Sequence, residues 1–243
     1  MPSTAADVPA VTSILCEGCG YTLDGLPSES RCPECGKPVI ESLTEDGRTP
    51  AEWETTPRRF GSFLRTTRQV ILTPSKFFRT TTTRGPLRSA MIFALIHWGI
   101  ASILFSTAGW IHWFTIMAND TIIGLFPALA WIGLFAVTFA SLWGITRLAA
   151  GLSAFEGRYR GMRLPQPVVL RGLYYHAAHY LPVALLALIS TGTYAWLSHR
   201  NPFAFIQYNT SYLYAISGEV ILAAIYLFWT YWAAMRNMMY ANR

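Results

Sequence analysis

The run AMIFALIHWGIASILFSTAGW, residues 90–110, contains no Asp, Glu, Lys or Arg. A helix needs about 20 predominantly apolar residues to cross a bilayer. Similar runs recur along the chain, and the predicted spans are residues 90–110, 122–145, 173–197 and 212–232. Trp or Tyr residues border the runs, as they do at membrane interfaces, and four such runs are not expected of buried helices in a soluble protein. The sequence predicts an all-α polytopic membrane protein with about four transmembrane helices, five being the alternative.

The charged residues are divided unequally along the chain. Residues 1–56 hold ten acidic residues against three basic ones, whereas residues 57–243 hold sixteen Lys and Arg against Asp120, Glu156 and Glu219. A net charge of +6 therefore combines an acidic N-terminal part with a basic, apolar remainder. The basic residues flank the apolar runs instead of forming one patch, so nucleic-acid binding is disfavoured.

The basic residues also predict the orientation in the membrane. Eight lie between residue 57 and the first predicted span and five between the second and third spans, whereas the other two loops hold only Arg200. Cytoplasmic loops carry the excess of Lys and Arg. With an even number of spans, both termini are expected in the cytoplasm, and we expect the protein in a bacterial cytoplasmic membrane.

The four cysteines form two CxxC pairs: Cys16, Cys19, Cys32 and Cys35. Zinc prefers tetrahedral thiolate ligation, and two CxxC hooks separated by twelve residues supply four ligands. Gly20 and Gly36 follow the hooks, where a positive φ lets backbone amides face the thiolates. Residues 15–40 are thus predicted to form a small N-terminal zinc ribbon with one structural zinc ion. So small a unit needs the metal to fold.

Three other interpretations of the cysteines were compared with a structural zinc site. A thioredoxin-like redox pair needs a βαβ context, which the surrounding sequence lacks. Disulfides are typical of secreted domains, whereas the predicted topology places this segment in the reducing cytoplasm. A catalytic zinc keeps one position open, and four cysteines close the coordination shell.

The rest of the chain divides by composition. Residues rich in Glu, Thr and Pro follow the ribbon without an apolar period, which predicts a flexible tether. The predicted order is a disordered leader (1–14), the zinc ribbon (15–40), a flexible linker (41–57), a basic amphipathic juxtamembrane segment (58–86), the transmembrane bundle (87–235) and a cytoplasmic tail (236–243).

The juxtamembrane segment mixes cations with aromatic residues at near-helical spacing, as does a helix lying on an anionic leaflet. Thr73 can cap a short helix that begins with Pro74, which would place two phenylalanines in lipid. The predicted membrane-surface residues are Arg58, Arg59, Arg65, Arg68, Lys76, Phe77, Phe78 and Arg79. A solvated basic linker is the alternative.

Three stretches resemble the membrane domains of the Yip-type (Rab-interacting) family: ILTPSKFFR at 71–79, GLSAFEGRYRG at 151–161 and HAAHYLPVALLALI at 176–189. The resemblance extends over about residues 60–230. It implies a non-enzymatic membrane protein connected with membrane organisation or trafficking. Members of that family usually have five spans, whereas four are predicted here.

A few polar residues lie within the predicted spans. Glu219 is the one acidic residue inside a span, and intramembrane carboxylates often mark an ion path. His176 and His179 share one helix face and could bind a metal with a third ligand such as Glu156. For Glu219 the alternatives are a protonated carboxyl group hydrogen-bonded to a neighbouring helix, or a position near enough the outer surface to stay hydrated. For the histidines the alternative is an interfacial polar rim.

Three functions are compatible with these features. The favoured one is a non-enzymatic adaptor that contacts the lipid bilayer and docks a protein partner on its cytoplasmic zinc ribbon. The second is a transporter or channel, formed by a homo-oligomer, with Glu219 in its path. The third is a membrane enzyme that uses His176 and His179. No P-loop, HExxH or nucleophile elbow supports an enzyme.

Overall fold

A computed structural model of the chain describes residues 13–43, 48–56, 59–83, 85–117, 126–162, 164–200 and 205–241. These residues form an all-α structure in which no β-strand extends beyond a single bridge. Isolated β-bridges join Leu15 to Thr22, Arg31 to Pro38 and Thr49 to Thr81.

Four helical stretches in the described part of the chain are apolar and long enough to cross a membrane, as predicted. They are Leu87–Thr115, Pro127–Tyr159, Gln166–Arg200 and Asn209–Met238. The corresponding helices are α5 (Leu87–Met117), α6 (Phe126–Tyr159), α7 (Gln166–His176) followed by a 3₁₀ turn (Ala177–His179) and α8 (Tyr180–Arg200), and α9 (Phe205–Met238). These helices extend beyond the predicted spans because the backbone hydrogen bonds of each helix continue into polar residues at its ends.

Two local signals explain how these helices end and bend. Gly161 has a φ of +69° after α6, and its N–H donates to the carbonyl of Arg158 at 3.2 Å while Met162 N–H donates to Gly157 at 2.8 Å. This is the Schellman arrangement that satisfies the last carbonyls of a helix. Pro182 lacks the N–H that would bond within the preceding turn, and the 3₁₀ turn lies just before it.

One compact unit comprises the described residues of 1–91, 147–175 and 231–243. Its short helices are α1 (Ile40–Leu43), α2 (Glu52–Thr55), α3 (Phe60–Leu72) and α4 (Pro74–Thr80). The interior of this unit includes Val70, Phe78, Val169 and Tyr175, all of which are buried.

Arg48 is a buried connection within this unit. Its guanidinium pairs with the carboxylate of Glu17 at 3.2 Å and donates to the carbonyls of Phe78 (3.0 Å), Thr81 (3.2 Å) and Asn237 (2.8 Å). Only 3% of its side chain is exposed. A buried cation needs such partners, because desolvation without them is strongly unfavourable.

Helix α2 is held by its own side chains. Trp53 is buried, and its indole N–H donates to the carbonyl of Ser89 at 2.8 Å. The carboxylate of Glu54 accepts hydrogen bonds from Arg171 and from the Tyr175 hydroxyl, each at 2.5 Å. The prediction of a flexible linker at 41–57 is therefore corrected for residues 48–56, which are ordered by buried polar contacts. Most of the predicted leader, at residues 1–12, lies outside the described residues.

The second unit comprises the described residues of 92–146 and 176–230. Phe93, Trp98 and Ala101 are buried within it, whereas large apolar side chains such as Val137 and Ile221 are exposed. Apolar surface that is exposed along whole helices is rare in soluble monomers, and it is the surface expected to face lipid.

Candidate metal centre

The two CxxC hooks fold alike. In each hook the backbone carbonyl of the first cysteine accepts a hydrogen bond from the N–H of the glycine four residues later. The N–H of the same cysteine donates to the carbonyl of the residue that follows this glycine. These bonds are Gly20 N–H to Cys16 O (2.8 Å), Cys16 N–H to Tyr21 O (2.8 Å), Gly36 N–H to Cys32 O (2.9 Å) and Cys32 N–H to Lys37 O (2.8 Å). Gly20 has a φ of +84° and Gly36 one of +72°, so the predicted positive-φ turns are confirmed.

The hooks bring four thiols together. Their Sγ atoms all lie within 4.8 Å of one another, with 3.5 Å between Cys16 and Cys35 and 3.5 Å between Cys19 and Cys32. None of the four is in a disulfide. Zinc–sulfur bonds of about 2.3 Å in a tetrahedron separate the sulfurs by about 3.8 Å, which lies within the observed range. The cluster can therefore hold a single metal ion.

The surroundings of the thiols act on their protonation in opposite directions. Burial raises the pKa of Cys16, and it raises the pKa of Cys19 to about 12. At Cys32 burial also raises the pKa, but hydrogen bonds from the N–H groups of Cys35 and Glu34 and from the neighbouring thiols of Cys19 and Cys16 together outweigh it, and the pKa falls to about 7. Four adjacent thiolates repel one another, so full deprotonation requires a bound cation.

The ribbon that carries the thiols has a very small apolar core of its own. The core consists of Leu23, Val39, Cys16 and Cys32, with Leu26 packed against it. A core of this size cannot offset the conformational entropy of ordering the segment. The residues therefore fit the prediction that a bound metal provides much of the folding free energy.

The first hook is attached to the rest of its compact unit. Glu17 lies inside this hook; its N–H donates to the hydroxyl of Ser42 at 3.2 Å, and its carboxylate pairs with Arg48. Gly20 faces the ring of Tyr240, which a Cβ at position 20 would approach to 2.5 Å. The hook is therefore packed against the chain's C-terminal part instead of projecting into solvent on a tether. No local signal in the sequence marks Arg48 or Tyr240 for this role.

The acidic residues of the ribbon have different roles. Glu17 is paired with Arg48, and the carboxylate of Asp24 accepts a hydrogen bond from Ile14 N–H at 2.9 Å. Glu29 and Glu34 are exposed, and neither forms an ion pair with another described residue. The ribbon thus has an outer surface with unneutralised carboxylates.

Two of the polar residues singled out from the sequence in the second unit, Glu219 and His176, have hydrogen-bonded partners. Glu219 is half-buried and accepts a hydrogen bond from the hydroxyl of Ser190. His176 is buried with its Nε2 2.9 Å from the hydroxyl oxygen of Thr230. For Glu219 this matches the alternative of a carboxyl group hydrogen-bonded to a neighbouring helix.

The histidine pair considered as a possible metal site has other contacts in the described part of the chain. His179 is buried, and its Nδ1 lies 2.7 Å from the hydroxyl of Tyr226. Glu156 pairs with Arg160 at 2.8 Å. Among the described residues, the four cysteines form the one group of three or more His, Cys, Asp or Glu that is close enough to hold a metal.

The predicted lipid contacts of α4 are corrected by the structure. Phe77 and Phe78 are only 4% and 1% exposed. The Phe77 ring packs edge-on against Tyr175, with 5.2 Å between ring centroids. The aromatic face of α4 therefore points into the protein, because the interior of its own compact unit, including Tyr175, provides apolar surface for it to pack against.

The predicted membrane-surface cations have three outcomes. Arg58 lies outside the described residues. The side chain of Arg65 pairs with Glu52. The remaining cations, all exposed, are Arg59, Arg68, Lys76 and Arg79.

No protein-family model, no curated protein and no solved structure matches the chain. Membership of the Yip-type family therefore stays a prediction.

Proposed function

We propose that the protein is a non-enzymatic adaptor in a membrane, in which a ribbon folded around one structural zinc ion docks a protein partner at the cytoplasmic surface. The observation that carries the proposal is the two-sided character of the ribbon. One side is bound to its compact unit through Glu17 and Gly20, and the other exposes Glu29 and Glu34.

The chemistry of the ligand set supports structural zinc. Four thiolates suit zinc, and a closed tetrahedral shell leaves no position for a substrate. The described residues also contain no second group that could hold a metal. The zinc therefore acts by holding the two hooks in place, and the ribbon binds through its surface.

The attachment of the ribbon supports a docking function. Arg48 joins Glu17 to backbone carbonyls, including that of Asn237 next to the end of α9, so the ribbon is ordered before a partner arrives. A preorganised surface loses little entropy on binding. A partner of complementary charge would present Lys or Arg to Glu29 and Glu34.

The cytoplasmic location rests on charge. The loops rich in Lys and Arg predict that both termini lie on the cytoplasmic side of a bacterial membrane. The cytoplasm keeps the thiols reduced and therefore available to zinc.

The test is in-cell photocrosslinking with a photoreactive residue at Glu34, in the full chain. The control carries the same residue at Gln69, which is exposed on α3. We expect a discrete protein product from Glu34 only, and we expect Cys32→Ser to abolish both this product and the one equivalent of zinc measured by elemental analysis. Equal products from both positions, or a Glu34 product that survives zinc loss, would refute the adaptor function.

A further inference from the structure

Helix α3 exposes large apolar side chains, although its inner side already buries several hydroxyls. Ser62, Thr66 and Thr67 are buried, together with Phe63 and Val70. Phe60 and Leu64, by contrast, are 74% and 48% exposed. In a surface helix of a soluble protein the apolar residues face the core and the outer side is polar.

The buried hydroxyls of α3 are satisfied by hydrogen bonds. Ser62 donates to the carbonyl of Thr56 at 2.8 Å, and Thr67 donates to that of Phe63 at 2.9 Å. The hydroxyl of Thr66 accepts a hydrogen bond from the backbone N–H of Trp53 at 3.1 Å. Rotating the helix to bury its exposed apolar residues would break the bonds that Ser62 and Thr66 form with residues outside α3, and these two bonds therefore stabilise the observed orientation.

The apolar residues of the outer side form a continuous surface. At about 100° per residue, the exposed Phe60 and Leu64 and the partly buried Ile71 fall within an arc of roughly 40° on the helix. Leu72, at the C-terminal end of α3, is a further 65% exposed apolar residue. The stripe is only one helix wide.

Cations lie beside this stripe. Arg59 and Arg68 are exposed, and neither forms an ion pair with another described residue. The nearby carboxylate of Glu52 is already paired with Arg65. The face is therefore cationic, and arginine can hold its stem along apolar surface while its guanidinium reaches phosphate.

We propose that the outer face of α3, consisting of Phe60, Leu64, Ile71 and Leu72 with Arg59 and Arg68 beside them, binds anionic phospholipid headgroups of the membrane that holds the spans. Apolar side chains enter the boundary between headgroups and acyl chains, and the two arginines bind lipid phosphates.

Two observations favour lipid as the occupant of this face. Only fourteen residues separate Leu72 from Leu87, where the first candidate span begins, and seven of them form α4. The chain therefore cannot carry α3 far from a bilayer that contains that span. A narrow apolar stripe beside unpaired arginines also matches the composition of interfacial helices.

The first experiment compares two exposed positions on the same helix. A photoreactive residue replaces either Leu64, on the proposed face, or Gln69, roughly 140° away around the helix. The full chain is reconstituted in nanodiscs containing phosphatidylcholine and phosphatidylglycerol, irradiated, and analysed by mass spectrometry. We expect lipid adducts at Leu64 and few at Gln69. Crosslinks from Leu64 to protein, including a second copy of this chain, or equal lipid labelling at both positions, would overturn the proposal.

A second experiment tests the role of charge. With the photoreactive residue kept at position 64, the pair Arg59→Gln and Arg68→Gln is compared with Lys76→Gln, which removes an exposed cation of α4. We expect the excess of phosphatidylglycerol over phosphatidylcholine adducts to fall roughly fivefold for each arginine removed, and to be unchanged by Lys76→Gln. A preference for phosphatidylglycerol that survives the double substitution would overturn the assignment of the arginines. Neither experiment involves the ribbon, so its outcome is independent of the adaptor proposal.

Discussion

Replacing Arg48 with Ala tests whether the ribbon is fixed to its compact unit. The substitution removes the ion pair with Glu17 and the donors to the carbonyls of Phe78, Thr81 and Asn237. Removing one partner of a buried ion pair leaves the other charge uncompensated and lowers the free energy of unfolding by about 3–5 kcal/mol. Because Arg48 also serves three carbonyls, we expect a loss at the upper end of that range.

The loss can be measured as zinc release during urea unfolding of the zinc-loaded full chain in detergent, with a chromogenic chelator as the reporter. With a slope of about 2 kcal/mol per molar urea, a loss of about 5 kcal/mol lowers the midpoint by about 2.5 M. Arg68→Ala is the matched control, because Arg68 is exposed and forms no ion pair with another described residue. Its effect should stay within about 0.5 kcal/mol. If the midpoints of the two variants agree, the ribbon unfolds independently of Arg48, and the reasoning about its attachment is wrong.

Two further predictions concern Gly20 and Glu52. Gly20→Ala and Gly25→Ala both place alanine at a positive φ, +84° and +80°, but only position 20 faces the Tyr240 ring. In the zinc-release assay Gly20→Ala should therefore destabilise by about 1–3 kcal/mol more than Gly25→Ala, and Tyr240→Ala should abolish this difference. A difference that persists without Tyr240 would exclude the steric explanation. Hydrogen bonding to Arg65 lowers the pKa of Glu52 from its ordinary 4.5. The Glu52–Arg65 pair therefore stabilises the fold above pH 4.5, and this stabilisation is lost as the pH falls through the lowered pKa of the folded state. The difference in urea midpoint between wild type and Glu52→Gln, followed by circular dichroism, should shrink below about pH 4.5; a difference independent of pH would contradict this prediction.

The spans and the cysteine cluster could be predicted because their signals are local. An apolar run of about 20 residues identifies a membrane helix without reference to the rest of the chain. The hooks are similarly self-contained, because cysteine spacing and the glycines that follow it determine the local turns. The structure confirms the four candidate spans and places the four Sγ atoms within 4.8 Å of one another.

The spatial organisation of residues 48–56 could not be predicted in this way. By composition this segment resembles a solvated linker, yet Arg48 bonds to Asn237, 189 positions away, and Glu54 to Arg171, 117 positions away. A charged side chain is stable inside a protein only when such partners surround it. The residues next to it in the sequence do not indicate which distant residues these partners are.

The sequence by itself determined which segments can cross a membrane and which residues can bind a metal, since both follow from residue type and short-range spacing. Only the tertiary structure decided which charged and aromatic side chains are buried. It turned Phe77 and Phe78 inward and left Phe60 and Leu64 exposed, although all four lie in the same basic, aromatic segment. The physical reason is that burial depends on surfaces supplied by distant parts of the chain: Phe77 packs against Tyr175 on α7, whereas α3 uses its hydrogen-bonded side for contact and leaves its apolar stripe outside.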